Sequence, residues 1–226
     1  MPCQFVAGPP DCQDIGVSEG ARSYGGKSAD ERVTARRARL VDATISLLAA
    51  TGEARTTMTA VCAEAGLTER YFYESFGSRD DALIAALDTV NEEVASTALD
   101  AIAASSGEPE DRVRATIGAV VDLAIAKPDR VRVAVIESNA NAVLRARRHE
   151  LLNSFAGLVA AEAHGLFGDE IWPAPRDHVQ GMIFIAGLAE LVASWLLGEV
   201  ELTRDELVAT ASDSLVALMR RDLSER

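Results

Sequence analysis

The sequence has little of several features that mark other classes of protein. Its three cysteines, Cys3, Cys12 and Cys62, fit neither a disulfide framework nor a zinc site, because they are odd in number and lack metal-ligand spacing. The first residues lack the basic start and the apolar run of a secretory signal. These absences favour a protein of the reducing cytoplasm.

Positive charge is also scarce. The 226 residues include 22 basic and 35 acidic side chains, a formal net charge of −13. Indiscriminate binding to nucleic acid or to an anionic membrane is driven by phosphate neutralisation, and this charge argues against it. The acidic residues are unevenly distributed along the chain, since residues 27–81 hold eight basic and nine acidic side chains and are nearly neutral. Any contact with DNA must therefore be local.

Runs of alternating apolar and polar residues, which indicate strands, are missing as well. From residue 28 onward the apolar residues recur at helical spacing, and Gly- or Pro-containing breaks separate the helical stretches. The sequence predicts an all-α protein of about nine helices after a polar, Gly- and Pro-rich arm at residues 1–28. The predicted helices span about residues 30–50, 57–65, 68–76, 78–104, 109–126, 129–137, 141–167, 176–197 and 203–222.

No motif for catalysis or for a cofactor is visible. The chain has no glycine-rich phosphate loop and no nucleophile elbow. Glu162 and His164 are two residues apart, which is not the Glu-x-x-His spacing of di-iron bundles. We expect no enzymatic activity, no metal and no cofactor. A helical-bundle enzyme is the alternative from another class, and metal-dependent or nucleotide-hydrolysing activity would support it.

Residues 57–76, TMTAVCAEAGLTERYFYESF, have the layout of a helix-turn-helix. Cys62 is small enough for two helices to cross closely, and Gly66 tolerates the positive φ of a tight turn. Phe72 and Phe76 lie four residues apart and share the inner face of the second helix. Its outer face would carry Tyr73 and the charged residues beside it.

The longer segment 56–87 resembles the DNA-binding region of the TetR (tetracycline repressor) family of transcriptional regulators. That family has a Thr pair, an Ile-Ala-x-x-Ala-Gly-Val turn, a Ser-x-x-x-Phe-Tyr-x-x-Phe helix, and a Lys or Arg before a Leu. The matching positions are Val61-Cys62, Ala65-Gly66-Leu67, Thr68, Phe72-Tyr73, Phe76, Arg79 and Leu83. The resemblance implies a three-helix DNA-binding domain at residues 29–77 and a helical effector-binding and dimerisation domain at residues 78–226.

The resemblance also implies roles for individual residues. Positions that contact phosphates match Thr57, Tyr73 and Arg79, with Thr56 as a further candidate, and positions that commonly face bases match Arg70 and Tyr71. The expected DNA-contacting residues are Arg36, Arg37, Thr56, Thr57, Thr68, Glu69, Arg70, Tyr71, Tyr73 and Arg79. Glu69 and Glu74 do not fit this surface as well, because acidic side chains beside phosphates oppose DNA binding. Either could accept a hydrogen bond from cytosine N4, or both are solvated surface acids.

Residues 187–207 are similar to the last two helices of the family, through which its members usually dimerise. The expected interface residues are Ile183, Leu188, Leu191, Trp195 and Leu215. The apolar run 179–197 is 19 residues long, so a membrane span is the alternative. Gln180 and Glu190 interrupt this run, and no basic flank sets an orientation in a membrane, which favours the interface.

The resemblance places an effector pocket among the helices between residues 88 and 167. Phe155 belongs to a predicted apolar wall, and Glu137, Asn139 and Asn141 could orient a polar group or merely cap helix ends. The basic cluster 145–148 is expected to be a solvated helix face. The sequence thus predicts a homodimeric repressor that binds a palindromic DNA operator and is released by a small molecule. The alternative is a ligand-independent DNA- or protein-binding scaffold of the same fold.

Overall fold

The structure is a computed structural model that describes residues 28–221. These residues form nine α-helices and no β-strand, so the predicted all-α architecture is confirmed. The predicted arm lies outside the described residues except for Ser28, its last residue. The helices are α1 (Ala29–Thr51), α2 (Met58–Ala65), α3 (Glu69–Ser75), α4 (Arg79–Ala104), α5 (Pro109–Ala126), α6 (Pro128–Val131), α7 (Ala142–Phe167), α8 (Arg176–Leu196) and α9 (Arg204–Met219).

Local sequence sets the starts of the first and last helices. The Ser28 hydroxyl accepts a hydrogen bond from the Glu31 amide, and the Glu31 carboxylate accepts one from the Ser28 amide. Thr203 and Glu206 form the same reciprocal pair before α9. Each capping box satisfies two backbone donors that the first turn leaves open, so these starts are encoded by four residues each.

The first hydrophobic core joins α1, α2, α3 and the first half of α4. Leu40, Leu48, Phe72 and Leu83 are almost completely buried in it. Gly66 ends α2 with φ at 61°, a left-handed conformation that glycine adopts without strain, and the chain turns there into α3. The core fixes the angle of α3 against α1.

The second core lies among α5, α8 and α9, and α7 packs along α8. The crossing of α7 and α8 is close, because a Cβ on Gly181 would lie 2.7 Å from the main-chain oxygen of Ala156. Only glycine fits there without moving a helix. Helices α4 to α9 therefore form one helical body around an internal space.

The segment after α6 differs from the predicted helix 129–137. Pro128 starts α6, a wider π-helical turn follows at Arg132–Ile136, and a short 3₁₀ turn covers Glu137–Asn139. The Ser138 hydroxyl donates to the Ala134 carbonyl, and the Asn139 amide donates to the Val135 carbonyl. Such side chains compete for backbone partners and interrupt a regular helix, which residue periodicity does not reveal.

Candidate nucleic-acid interface and internal cavity

Helix α3 is held by one face only. Phe72 and Phe76 are buried, with ring centroids 5.4 Å apart, as their four-residue spacing predicts. Leu67 packs partly buried against the same core. Because this face anchors the helix, the opposite face is left for contacts with another molecule.

The outer face of α3 carries polar and aromatic side chains. The Arg70 side chain is 83% exposed and Tyr73 is 61% exposed. Thr68 is exposed at the position before the helix, and its side chain makes no capping hydrogen bond. Glu69 is exposed, and Tyr71 is half-buried. Five of the expected DNA-contacting residues therefore lie together on or beside one short helix.

Two arginines of α1 reach α3. The Arg36 guanidinium lies 4.5 Å from the centre of the Tyr71 ring, and that of Arg37 lies 4.9 Å from the Phe76 ring. Glu74 accepts a hydrogen bond from Arg70 Nε at 3.0 Å and lies 3.9 Å from Arg36 Nη2. The acid that the sequence left unassigned thus lies between two arginines, and its charge is offset by theirs.

The two threonines before α2 differ. Thr57 is exposed and caps α2, accepting a hydrogen bond from the Ala60 amide at 3.2 Å. Thr56 has no exposed surface, and its hydroxyl donates to the Gly52 carbonyl at 2.9 Å. A buried hydroxyl with a partner does not reach a phosphate, so Thr56 is not part of the exposed surface that the sequence assigned to it.

Arg79 also points inward more than the sequence suggested. Its guanidinium donates to the Thr56 carbonyl at 2.7 Å and to the Glu53 carboxylate at 2.7 Å. About a third of its side chain remains exposed. Arg79 therefore ties the start of α4 to the 3₁₀ turn Glu53–Arg55 that precedes α2, and its predicted phosphate contact stays a prediction.

Glu53 connects this turn to the beginning of α7. Asn141 Nδ2 donates to the Glu53 carboxylate at 3.0 Å, and the Glu53 amide donates to the Glu137 carboxylate at 3.2 Å. The hydrogen bond from Asn141, assisted by Arg79, holds the pKa of Glu53 below its usual value against the opposing effect of burial. We call Glu53, Arg79, Glu137 and Asn141 the polar junction.

The polar junction changes the interpretation of the predicted ligand residues. Glu137, Asn139 and Asn141 do not line the internal cavity, whereas Phe155 does. Asn141 caps α7 by accepting a hydrogen bond from the Leu144 amide at 2.9 Å. Helix capping, the alternative that the sequence left open, is what the structure shows for Asn141. Spacing alone did not reveal that Glu137 lies against a turn 84 residues earlier in the chain.

The cavity has a volume of about 230 Å³ and is walled by α4 to α9. Its lining is overwhelmingly apolar. Residues that contribute polar groups to the wall are Asn91, Thr116, Arg130, Arg148 and Glu162. Arg148 was expected on a solvated face, but only 20% of its side chain is exposed and it donates to Glu190 at 3.1 Å. Among residues 28–221, no three His, Cys, Asp or Glu side chains are grouped to hold a metal ion.

Helix α4 contributes to both the first core and the cavity. Leu87 and Val90 are completely or almost completely buried in the core that holds α1 and α3, and both also line the cavity. A molecule in the cavity would therefore contact side chains that pack against the helix-turn-helix.

Helix α8 leaves an apolar face uncovered in the single chain. Val179 and Ile183 are each 53% exposed. Of the residues expected at a subunit interface, Ile183 lies on this face, while the others are partly buried against the second core: Leu188, Leu191, Trp195 and Leu215. By length and composition α8 could also cross a bilayer, and only 22% of its apolar window is buried. Charged residues interrupt α8, so the exposed face fits a protein contact better than lipid.

Residues 40–87 match the family model described as bacterial regulatory proteins, tetR family. No curated protein matches the sequence. Among solved structures, the fatty acid degradation regulator FadR from Bacillus halodurans superposes with a TM-score of 0.67 at 17% identity, covering 87% of this chain and 100% of that one. A TetR family transcription regulator from Marinobacter aquaeolei VT8 gives 0.62 at 20% identity, covering 85% and 100%.

A third solved structure, the transcriptional regulator FadR from Bacillus subtilis in complex with stearoyl-CoA, gives a TM-score of 0.60 at 20% identity, covering 80% of this chain and 96% of that one. At these identities the likeness establishes the fold. The family model covers the helix-turn-helix and the start of α4, the part on which the sequence resemblance rests. The resemblance is therefore confirmed: this chain carries the N-terminal segment of the TetR family and has the fold of its transcriptional regulators.

Proposed function

We propose that this chain is a homodimeric transcriptional repressor that binds a palindromic DNA operator through α3 and is released by a small molecule in the cavity. The observation that carries the proposal is the double role of α4. Leu87 and Val90 belong both to the core that positions α3 and to the cavity wall. A ligand that repacks these side chains changes how the DNA-binding helices are held.

The exposed face of α3 supports the assignment of DNA contacts. Arg70 has the length and the paired donors to bind guanine in the major groove, and Tyr73 can donate a hydrogen bond to a phosphate. Thr57 and Thr68 are exposed at the positions that precede α2 and α3. The surrounding acids reduce sequence-independent attraction, so affinity depends on two α3 helices binding together.

The uncovered apolar face of α8 supports dimerisation. Exposed residues of the size of Val179 and Ile183, adjacent on one helix face, are typical of a surface that packs against another protein. In a two-fold dimer the two α3 helices would read half-sites separated by about one helical turn or a multiple of it, roughly 34–36 Å for one turn. The palindromic operator follows from this symmetry.

The apolar cavity supports binding of a largely apolar effector. Ligand sites are concave and mostly apolar with a few polar groups, which describes this cavity. The Bacillus subtilis FadR structure contains stearoyl-CoA, a ligand with a long apolar chain. A ligand can act only by binding one conformation better than another. In the effector-bound state we expect α4 to move the two α3 helices out of register with the half-sites.

The test begins with selection of bound sequences from random double-stranded DNA, followed by gel-shift titration and sedimentation of the protein. Ile183→Glu places a charge on the uncovered face of α8 and should yield a monomer with greatly weakened operator binding. Ile125→Glu is the matched control, because it places the same charge on an isoleucine that is 46% exposed on α5, a helix outside the proposed interface. A native protein that sediments as a monomer, or that selects no sequence, contradicts the proposal. An operator complex that no apolar compound dissociates would favour the ligand-independent scaffold.

A further inference from the structure

The cavity contains one cationic group that its surroundings leave incompletely paired. Arg130 lines the cavity from α6, and 21% of its side chain is exposed. Its Nη1 atom is buried and has no hydrogen-bond partner within the described part of the chain. A buried charged donor without an acceptor is unfavourable, so buried groups of this kind are normally paired.

The remaining nitrogens of Arg130 have only shared or distant partners. Nε lies 3.3 Å from Glu93 Oε2, but Glu93 is also paired with Lys127. Nη2 lies 3.9 Å from Asp42, whose side chain is 67% exposed, and an exposed contact of this length is screened by water. Two cations thus share one close carboxylate, and Arg130 retains positive charge beside the cavity.

Three other polar residues of the wall are engaged elsewhere. Asn91 Nδ2 donates to the Leu87 carbonyl at 2.7 Å, and Thr116 Oγ1 donates to the Arg112 carbonyl at 2.9 Å. Arg148 donates to Glu190. Glu162 also lines the cavity, and Arg130 is the cationic residue of the wall that keeps a buried donor without a partner among the described residues.

The position of Arg130 places a polar end on an otherwise apolar cavity. Arg130 touches Asp42 of α1, so it lies at the end of the cavity next to the DNA-binding helices. On α7 the lining residues run from Arg148 to Phe167, which is about 28 Å of helix. Beyond Arg130 the wall is formed mainly by Leu, Val, Ile, Ala and Phe side chains.

We propose that the effector is an amphipathic monoanion, whose carboxylate pairs with Arg130 and whose long apolar part fills the cavity away from α1. This inference rests on the proposed function, because it assigns the chemical class of ligand for the same cavity. A carboxylate accepts charge-assisted hydrogen bonds from a guanidinium, and an apolar chain matches the rest of the wall. Carboxylate binding would also compete with Asp42 for Arg130 and so alter a contact to α1.

The test uses three probes that share one alkyl chain: dodecanoate, dodecanol and dodecyltrimethylammonium. The two ionic probes are kept below their micelle concentrations, and dodecanol is kept below its solubility limit. Binding to the full-length protein is measured by isothermal titration calorimetry. Dodecanoate should bind roughly tenfold or more tightly than dodecanol, the effect expected of a hydrogen bond to a charged group. Dodecyltrimethylammonium should bind more weakly than either.

Substitutions locate the carboxylate. Arg130→Gln should remove the preference for dodecanoate over dodecanol while leaving dodecanol binding nearly unchanged. Arg114→Gln is the matched control, because Arg114 is an exposed arginine paired with Asp213 and does not line the cavity. Glu93→Gln removes the carboxylate that competes for Arg130 and should tighten dodecanoate binding, which keeps the test decisive if Arg130→Gln is unstable.

The outcomes separate the two proposals. Equal binding of dodecanoate and dodecanol, or an unchanged preference in Arg130→Gln, overturns the carboxylate assignment and leaves an apolar effector standing. Tighter binding of the ammonium probe also overturns the assignment. If none of the three probes binds the unsubstituted protein, the cavity is not a site for such ligands, and effector release through it fails together with the carboxylate assignment.

Discussion

Glu74 provides the sharpest test of how α3 works. Its carboxylate lies 3.0 Å from Arg70 Nε and 3.9 Å from Arg36 Nη2, so it holds the exposed arginine of α3 against the arginine of α1. The substitution Glu74→Gln keeps the size of the side chain and removes its charge. We expect two opposite effects on DNA binding, because the charge both repels phosphates and orients Arg70.

The size of each effect follows from the geometry. The ion pairs of Glu74 are largely exposed, so their loss should lower the free energy of unfolding by less than about 1 kcal/mol. A carboxylate roughly 8 Å from a phosphate in water is repelled by about 0.5 kcal/mol, and two subunits give about 1 kcal/mol, a factor of about five in affinity. Orientation matters more for specificity, because a bidentate arginine contact discriminates between bases by about 1–3 kcal/mol.

The assay is fluorescence anisotropy with the selected operator and with a scrambled duplex, at several salt concentrations. Glu74→Gln should bind the scrambled duplex about fivefold more tightly and should lose part of its preference for the operator. Glu64→Gln is the control, because it removes one charge from α2, where the residue is exposed. Unchanged binding to both duplexes, or an increased preference for the operator, would refute the orienting role of Glu74.

The remaining predictions concern a phosphate contact, a helix crossing and the polar junction. Tyr73→Phe should weaken binding to operator and scrambled duplexes by similar factors, about fivefold for one hydrogen bond in each subunit, and a loss confined to the operator would contradict a phosphate contact. Gly181→Ala should lower the free energy of unfolding by about 1–3 kcal/mol in denaturant titrations, because the added Cβ would lie 2.7 Å from a main-chain oxygen of α7. Gly165→Ala is the control: Gly165 has open space around it, so this substitution should be neutral or stabilising. The pKa of Glu53 is lowered in the folded protein, so the stabilising effect of its charge is fully present above about pH 4.5 and is lost as the pH falls through the folded pKa. The difference in free energy of unfolding between the unsubstituted protein and Glu53→Gln should therefore shrink below pH 4.5. A constant difference would contradict this linkage.

Most of the helical architecture could be predicted from the sequence. Helix starts such as Ser28 and Thr203 depend on residues three positions away, and the anchoring of α3 depends on the four-residue spacing of Phe72 and Phe76. The turn at Gly66 depends on one residue and its conformational freedom. These features are local, so a linear pattern contains the information needed to predict them. The interruption after α6 was missed because side-chain bonding to the backbone leaves the apolar periodicity unchanged.

Some residues of the candidate DNA-binding surface and of the cavity could be predicted from the sequence, and others could not. The exposure of Arg70 and Tyr73 follows from helix periodicity once the buried face is known. The position of Arg130 on the cavity wall could not be predicted, because a single arginine next to Lys-Pro-Asp resembles the solvated start of any helix. The burial of Thr56 was not predictable either, since the two adjacent threonines look equivalent in the sequence. Their difference arises from the turn that precedes α2, where the Thr56 hydroxyl is drawn to the Gly52 carbonyl.

By itself the sequence determined the all-α class, the helix-turn-helix and the side of α3 that faces outward, because each depends on residues within a few positions of one another. Only the tertiary structure decided that Glu137 bonds to the turn before α2, and that Arg130 and Arg148 line an apolar cavity rather than face solvent. It also decided that α4 belongs to two packed regions at once. These features depend on which helices pack against each other, and that packing joins segments that are far apart in the chain.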